Sequence, residues 1–137
     1  MEKITYRINP EWQLELPEDY QKRKEEDHLV FWTTGVTLLT TVFAYSGERN
    51  REILLANLRA KAEAEQLKTI EDVSGSLVRF GFLQTETIEP EVERLALHAF
   101  TTAPYGCLQT SFYFDRPEDL RAALEVWKSV SWQESAA

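Results

Sequence analysis

The feature that most limits what this chain can fold into is a pair of β-prone segments that are apolar on both faces. Val36 to Tyr45 places Val36, Leu38, Thr40 and Val42 on one side and Thr37, Leu39, Thr41, Phe43 and Tyr45 on the other. Val92 to Thr101 sets Leu95, Leu97 and Ala99 against Ala96 and Phe100. Side chains alternate across a strand, so neither segment can turn one face to water. Both need cover above and below.

The rest of the chain supplies partners for them. Alternation predicts short strands over Ile4 to Ile8 and over Trp12 to Leu16, the second ended by Pro17. His28 to Thr33, Leu77 to Thr87 and Tyr105 to Phe114 read as further strands. The densely charged stretch Glu18 to Asp27 reads as an exposed edge strand or a loop, because charge is a common way of blunting a sheet edge. Asp72 to Ser76 reads as a turn region. Gly81, inside a strand, marks a bulge or a place where another group comes close.

Two segments change to a helical period. From Glu48 to Gln66 the stripe Leu54, Leu55, Leu58 and Ala62 faces one way while Glu52, Arg59 and Glu63 face the other. Near the C-terminus, Asp115-Arg116-Pro117-Glu118 is a helix-start signal: an acidic cap, a proline in the first turn and a glutamate three residues after the cap. Leu120, Ala123, Leu124, Trp127 and Val130 then form the buried stripe.

Short links between neighbouring strands favour hairpins, since parallel strands need long crossovers. The expected fold is therefore α+β, a largely antiparallel sheet flanked by two helices as an α/β/α sandwich. The alternative is a pleckstrin-homology-like bent barrel closed by the C-terminal helix. No repeat or Pro/Gly-rich linker divides the chain, so a single α+β domain is expected over residues 1–132, with a frayed tail over 133–137.

Composition narrows function by exclusion. The 23 acidic and 15 basic residues give a formal charge of −8. That balance speaks against a nucleic-acid partner, which needs a concentrated positive field, and against an anionic membrane surface. Cys107 is the lone cysteine, so no intrachain disulfide forms. The start Met1-Glu2-Lys3-Ile4-Thr5 lacks the apolar core of a secretory leader, and no run reaches the ~20 apolar residues of a membrane span. The expected compartment is the cytoplasm.

Chemistry-bearing groups are sparse. His98 and Cys107 flank the Thr102-Ala103 turn symmetrically, so a simple hairpin register places them opposite each other as a minimal thiolate pair. No third group or oxyanion hole accompanies them, so no catalytic residue is assigned. His28 and His98 are far apart in sequence, and Glu25-Glu26-Asp27 lacks the glycine and alternating oxygens of a calcium loop, so no metal site is assigned. Phosphate-cradling and nucleophile-elbow motifs are absent, and no cofactor is expected. The aromatic residues are the remaining functional signal. Trp32, Tyr105 and Trp132 fall near element ends, where amphipathic rings serve protein interfaces. These three are the candidate binding residues, while Trp12 and Trp127 are assigned to the core.

The pattern Trp12-x-Leu14-x-Leu16-Pro17, then hydrophobic strands, a helix, three strands and a closing Asp115-x-Pro117-Glu118 helix with Trp127 and Ser129, resembles the PsbP-like superfamily. That superfamily includes a photosystem extrinsic protein, a Ran-binding import factor and small bacterial adaptor and chaperone domains. The resemblance covers most of the chain, in element order and apolar pattern. It implies a non-catalytic interaction domain, and the lack of a targeting segment speaks against a photosystem role. The functional expectation is an adaptor, chaperone-like or immunity-type protein that binds another protein or itself. The alternative is a small-molecule-binding or minor enzymatic domain using His98 and Cys107.

Overall fold

The computed structural model describes residues 2–26 and 28–134. In chain order the strands are β1 (Lys3–Arg7), β2 (Trp12–Pro17), β3 (Gln21–Glu25), β4 (His28–Thr33) and β5 (Val36–Ala44). Helix α1 (Glu48–Ala64) follows, then β6 (Lys68–Ser74), β7 (Leu77–Glu89), β8 (Val92–Ala103) and β9 (Gly106–Phe114). A short 3₁₀ turn (Pro117–Asp119) leads into α2 (Leu120–Ser129) and the two-residue β10 (Ser131–Trp132).

The fold is α+β with antiparallel sheets, as the two-sided strands required. Seven strands form the main sheet in the order β3-β4-β5-β9-β8-β7-β6. Its outermost members, β3 and β6, are not joined to each other, so the sheet is open and no barrel closes. The first two strands do not extend this sheet. They pair with β10 in a separate three-stranded sheet, order β1-β2-β10.

Alternation sorts the side chains into two layers. On the inner face, Leu38, Leu97, Leu108, Phe112 and Phe114 pack under Trp12, Leu14 and Leu16 of β2 and under Ala123, Val126 and Trp127 of α2. On the outer face, Phe80, Phe82, Phe100 and Cys107 pack against Leu55 and Ala62 of α1. The two helices thus lie on opposite faces, and the small sheet shares the inner layer with α2.

Gly81 shows why the inner layer fits. A Cβ at this position would lie 2.9 Å from Cη2 of Trp127 and 3.3 Å from the His98 carbonyl oxygen. The indole lies where a side chain would otherwise be. Its Nε1–H donates to Thr101 Oγ1 at 3.1 Å, which satisfies the one polar atom of a buried ring. Arg79, two residues before Gly81 and also on the inner face, is buried to 6% exposure. It donates to the carbonyls of Lys128 (3.3 Å) and Val130 (3.5 Å) and faces Asp72 at 3.3 Å. A cation beside the last carbonyls of a helix satisfies groups the helix itself cannot.

Two local expectations need correction. Asp115 does not cap the final helix: no side-chain cap bond forms, the first turn is 3₁₀, and the carboxylate instead lies 3.1 Å from Arg94 Nε. The 68–74 segment, of which Asp72 onward read as a turn, is strand β6 up to Ser74, and the turn is confined to Gly75 and Ser76. Trp132 belongs to β10, whose partner is Trp12. Of the expected tail, Gln133 N–H donates to the Glu11 carbonyl at 2.8 Å, and 135–137 lie outside the described residues. Asp27, in the charged turn, also lies outside them.

Candidate functional site

Helix α1 covers only part of the outer face. The register aligns Trp32, Thr37, Tyr113 and Ala96 across β4, β5, β9 and β8, then Val30, Leu39, Ser111 and His98, then Thr41, Gln109 and Phe100, with His28 Nδ1 3.2 Å from Thr41 Oγ1. Only Phe100 of these joins the cluster under α1. Thr37, Leu39, Thr41, Gln109 and Tyr113 are only half-buried, while Val30, Ala96 and Ser111 among them are buried. A strand that is apolar on both faces therefore has cover on one face and only partial cover on the other.

At the Trp32 end this surface deepens into a cleft of about 810 Å³. Arg23, Val30, Trp32 and Thr37 line one side. The other side is the end of the β7–β8 hairpin, with Glu89, Val92, Glu93 and Arg94. The Arg23 guanidinium sits 5.1 Å from the Trp32 ring and pairs with Glu25 at 2.8 Å. Arg94 reaches across the cleft floor, donating from Nη2 to the Tyr113 carbonyl at 3.3 Å. Its buried Nε lies near Asp115 without the alignment of a hydrogen bond. Burial pushes the Tyr113 phenol up in pKa, Glu86 adds to the shift and Arg94 opposes it.

A polar chain crosses the open surface. His98 Nε2 is 2.9 Å from Glu86 Oε1, and Nδ1 is 2.9 Å from Ser111 Oγ. The carboxylate only accepts, so Nε2 carries the proton. In the neutral ring Nδ1 must then accept, and the Ser111 hydroxyl donates to it. Gln109 Nε2 donates to the same Oγ at 3.0 Å. The order hydroxyl, imidazole, carboxylate is that of an activated serine, but the setting is not. Ser111 is 4% exposed and lies on β9, which is paired on both sides by β5 and β8, so its backbone is committed to the ladders and cannot hold an oxyanion. The chain serves to satisfy a half-buried histidine and glutamate.

The His98/Cys107 pair does not form. The hairpin turns at Pro104-Tyr105, not at Thr102-Ala103, so Cys107 faces Thr102 and His98 faces Ser111. The two share a face but stand four residues apart along the register, roughly 13 Å at the usual strand rise. Cys107 is fully buried and its thiol is pushed up to about 12 by burial, a backbone hydrogen bond from Thr101 opposing the shift. Tyr20 is also pushed up to about 12, by burial first and then by Asp19 and Asp119.

These shifts give a pH prediction. An unfolded thiol ionises near ~8.5 and an unfolded tyrosine near ~10. Folded values above these make the stabilising contribution full at lower pH and lost as pH rises towards 12. The urea midpoint is expected to hold between pH 7 and 8 and to fall steadily from about pH 9. Iodoacetamide is expected to label Cys107 in urea but not in the native chain at pH 8. Ready native labelling would contradict the burial.

The three aromatic candidates do not converge. Trp32 lines the cleft. Tyr105 is 54% exposed at the β8–β9 turn, at the opposite end of the sheet. Trp132 is half-buried against Trp12, with ring centroids 6.4 Å apart. Sequence reading missed Leu39, Ser111 and Gln109. The signal for Leu39 was present in the two-sided alternation of β5, but which half of a face a helix leaves bare is a tertiary outcome. Among the described residues no group of three or more His, Cys, Asp or Glu side chains is placed to hold a metal. Among the described residues no helix is long and apolar enough to cross a membrane.

The fold and this half-covered face define an open, two-helix α+β sandwich. It is similar in structure to a protein from Bacteroides thetaiotaomicron VPI-5482, with a TM-score of 0.69 and 11% sequence identity, over 90% of this chain and 46% of that one. The chain thus spans about half the length of that protein, and at this identity the likeness carries the fold alone. No protein-family model matches the chain, and no curated protein matches its sequence.

Proposed function

We propose that this domain is a non-enzymatic protein-interaction module that receives a segment of its partner on the bare half of the outer sheet face, with Trp32 as the anchor. The observation that carries the reading is the run of Thr37, Leu39, Thr41 and Tyr113, only half-buried and outside the cluster under α1, opening into the Trp32 cleft. Strands with two apolar faces are ordinarily covered on both. The PsbP-like resemblance, with its adaptor and chaperone members, points the same way. Tyr105 and Trp132 lie away from this face and have no part in the proposal. The alternative built on a His98/Cys107 pair loses its basis, since the two groups do not meet.

Capture from native lysate followed by titration of the purified complex tests the reading. A stoichiometric partner, or a second copy of the chain, is expected. Trp32→Ala and Leu39→Asp are each expected to weaken it by ~30-fold or more, the effect of losing a central anchor. Tyr105→Ala is expected to leave it unchanged. Full binding by both face variants, with circular dichroism unaltered, would sink the proposal.

A further inference from the structure

Strand β8 outruns its neighbour. Its pairing with β9 ends at Leu95 opposite Phe114, whereas its pairing with β7 continues through Arg94 and Glu93 to Val92. Residues Val92 to Arg94 therefore have a strand on one side only. The space beyond the end of β9 is bounded across from them by the β4–β5 turn, where the Gly35 carbonyl accepts from Asp115 N–H at 3.1 Å. Gly35, Asp115 and Val92 all line the 810 Å³ cleft. The main sheet thus has a notch, one strand wide, with a cavity in it. A bare strand edge beside a cavity is the arrangement used to take up an extended peptide by strand addition.

The charges at the notch select the occupant. Arg23 is paired with Glu25, and Arg94 lies against Asp115. Glu89 at the end of β7 and Glu93 on β8 have no cation partner among the described residues. Beside them Val92 is 46% exposed, and Trp32 lines the same cleft. The uncompensated charge is negative, in a chain whose total is −8.

We propose that the notch takes a short extended segment of a partner protein, in which lysine or arginine alternates with β-branched apolar residues. The segment continues the line of β9, its backbone paired to the free edge of Val92 to Arg94. Its cations share the face of Glu93, its apolar side chains rest on Val92 and Trp32 on the opposite face, and Glu89, across from Val92 at the end of β7, adds to the negative field. This deepens the interaction reading above and rests on it, since it names the chemistry of the segment and how it is held.

A phage-displayed library of random seven-residue peptides, selected on the whole chain, tests the proposal. Selected sequences are expected to be enriched in Lys and Arg at alternate positions. The strongest selected peptide is expected to slow amide exchange at Val92 to Arg94 and to lose at least tenfold in affinity against Glu89→Gln/Glu93→Gln. Peptides that shift Leu39, Ser111 and Gln109 but neither protect those amides nor respond to the double substitution would overturn the inference and leave the broader proposal standing. Selection that yields no peptide mapping to Trp32 or Leu39 would overturn both.

Discussion

Replacing Trp127 by alanine is expected to lower the unfolding free energy by about 3–5 kcal/mol, the range for removing a large buried aromatic. For a domain of this size that corresponds to a fall of roughly 10–20 °C in Tm. Trp127 is 1% exposed, fills the space that Gly81 leaves and donates to Thr101, so its loss opens a cavity and strands a buried hydroxyl. The same contact predicts a coupling. Gly81→Ala in the native chain is expected to cost ~1–3 kcal/mol, because the indole and the His98 carbonyl cannot both give way. In the Trp127→Ala background the cost should shrink by at least half. Urea denaturation of the four chains reads both terms, and strict additivity would show that the indole does not hold Gly81 small.

The second large effect concerns Arg79. Arg79→Met keeps much of the stem but removes the guanidinium from the carbonyls of Lys128 and Val130. A loss of ~2–3 kcal/mol is expected, the scale of charge-assisted bonds to groups that water cannot reach. Asp72→Asn should cost far less, on the order of 0–1 kcal/mol, because Asp72 is 44% exposed and water replaces the lost partner's role. If the two substitutions cost the same, the Asp72 ion pair and not the helix end is what Arg79 is kept for. If Arg79→Met is neutral, apolar packing offsets the buried charge, as it does at some buried ion pairs.

Element type was largely legible because it rests on local periodicity. The alternation of Trp12, Leu14 and Leu16, the two apolar faces of β5 and β8, and the Leu55–Ala62 stripe of α1 all appear where their spacing put them. Gly81 was read as a bulge or a close-approach position, and the second holds. What failed rested on long-range geometry. Nothing local shows that β1 and β2 leave the main sheet to pair with β10. The hairpin turn was placed two residues too early, at Thr102-Ala103 instead of Pro104-Tyr105, which shifts the partner of His98 by four residues, and the supposed His98/Cys107 pair went with it. Asp115 looked like a helix cap by spacing alone, yet Arg94, 21 residues earlier on β8, claims its carboxylate. The candidate site shares this limit: Trp32 was visible as an aromatic at a strand end, while the bare half of the sheet depends on where α1 comes to rest.

The position of β2 has a consequence for how the chain is made. Its inner-face side chains are sealed only when α2 and β10 arrive: Glu15 N–H donates to Ser129 Oγ at 2.9 Å, and Trp12 pairs with Trp132. The partners are 114 residues apart in the first case. During synthesis, strands β3 to β9 emerge and can zip into hairpins while the face that α2 will cover stays wet. An early-made strand waits for the last-made helix. Closure of this kind is slow relative to local hairpins and leaves an apolar sheet surface open to other chains meanwhile. A partly made chain with this face uncovered is expected to be more prone to aggregate than the finished fold.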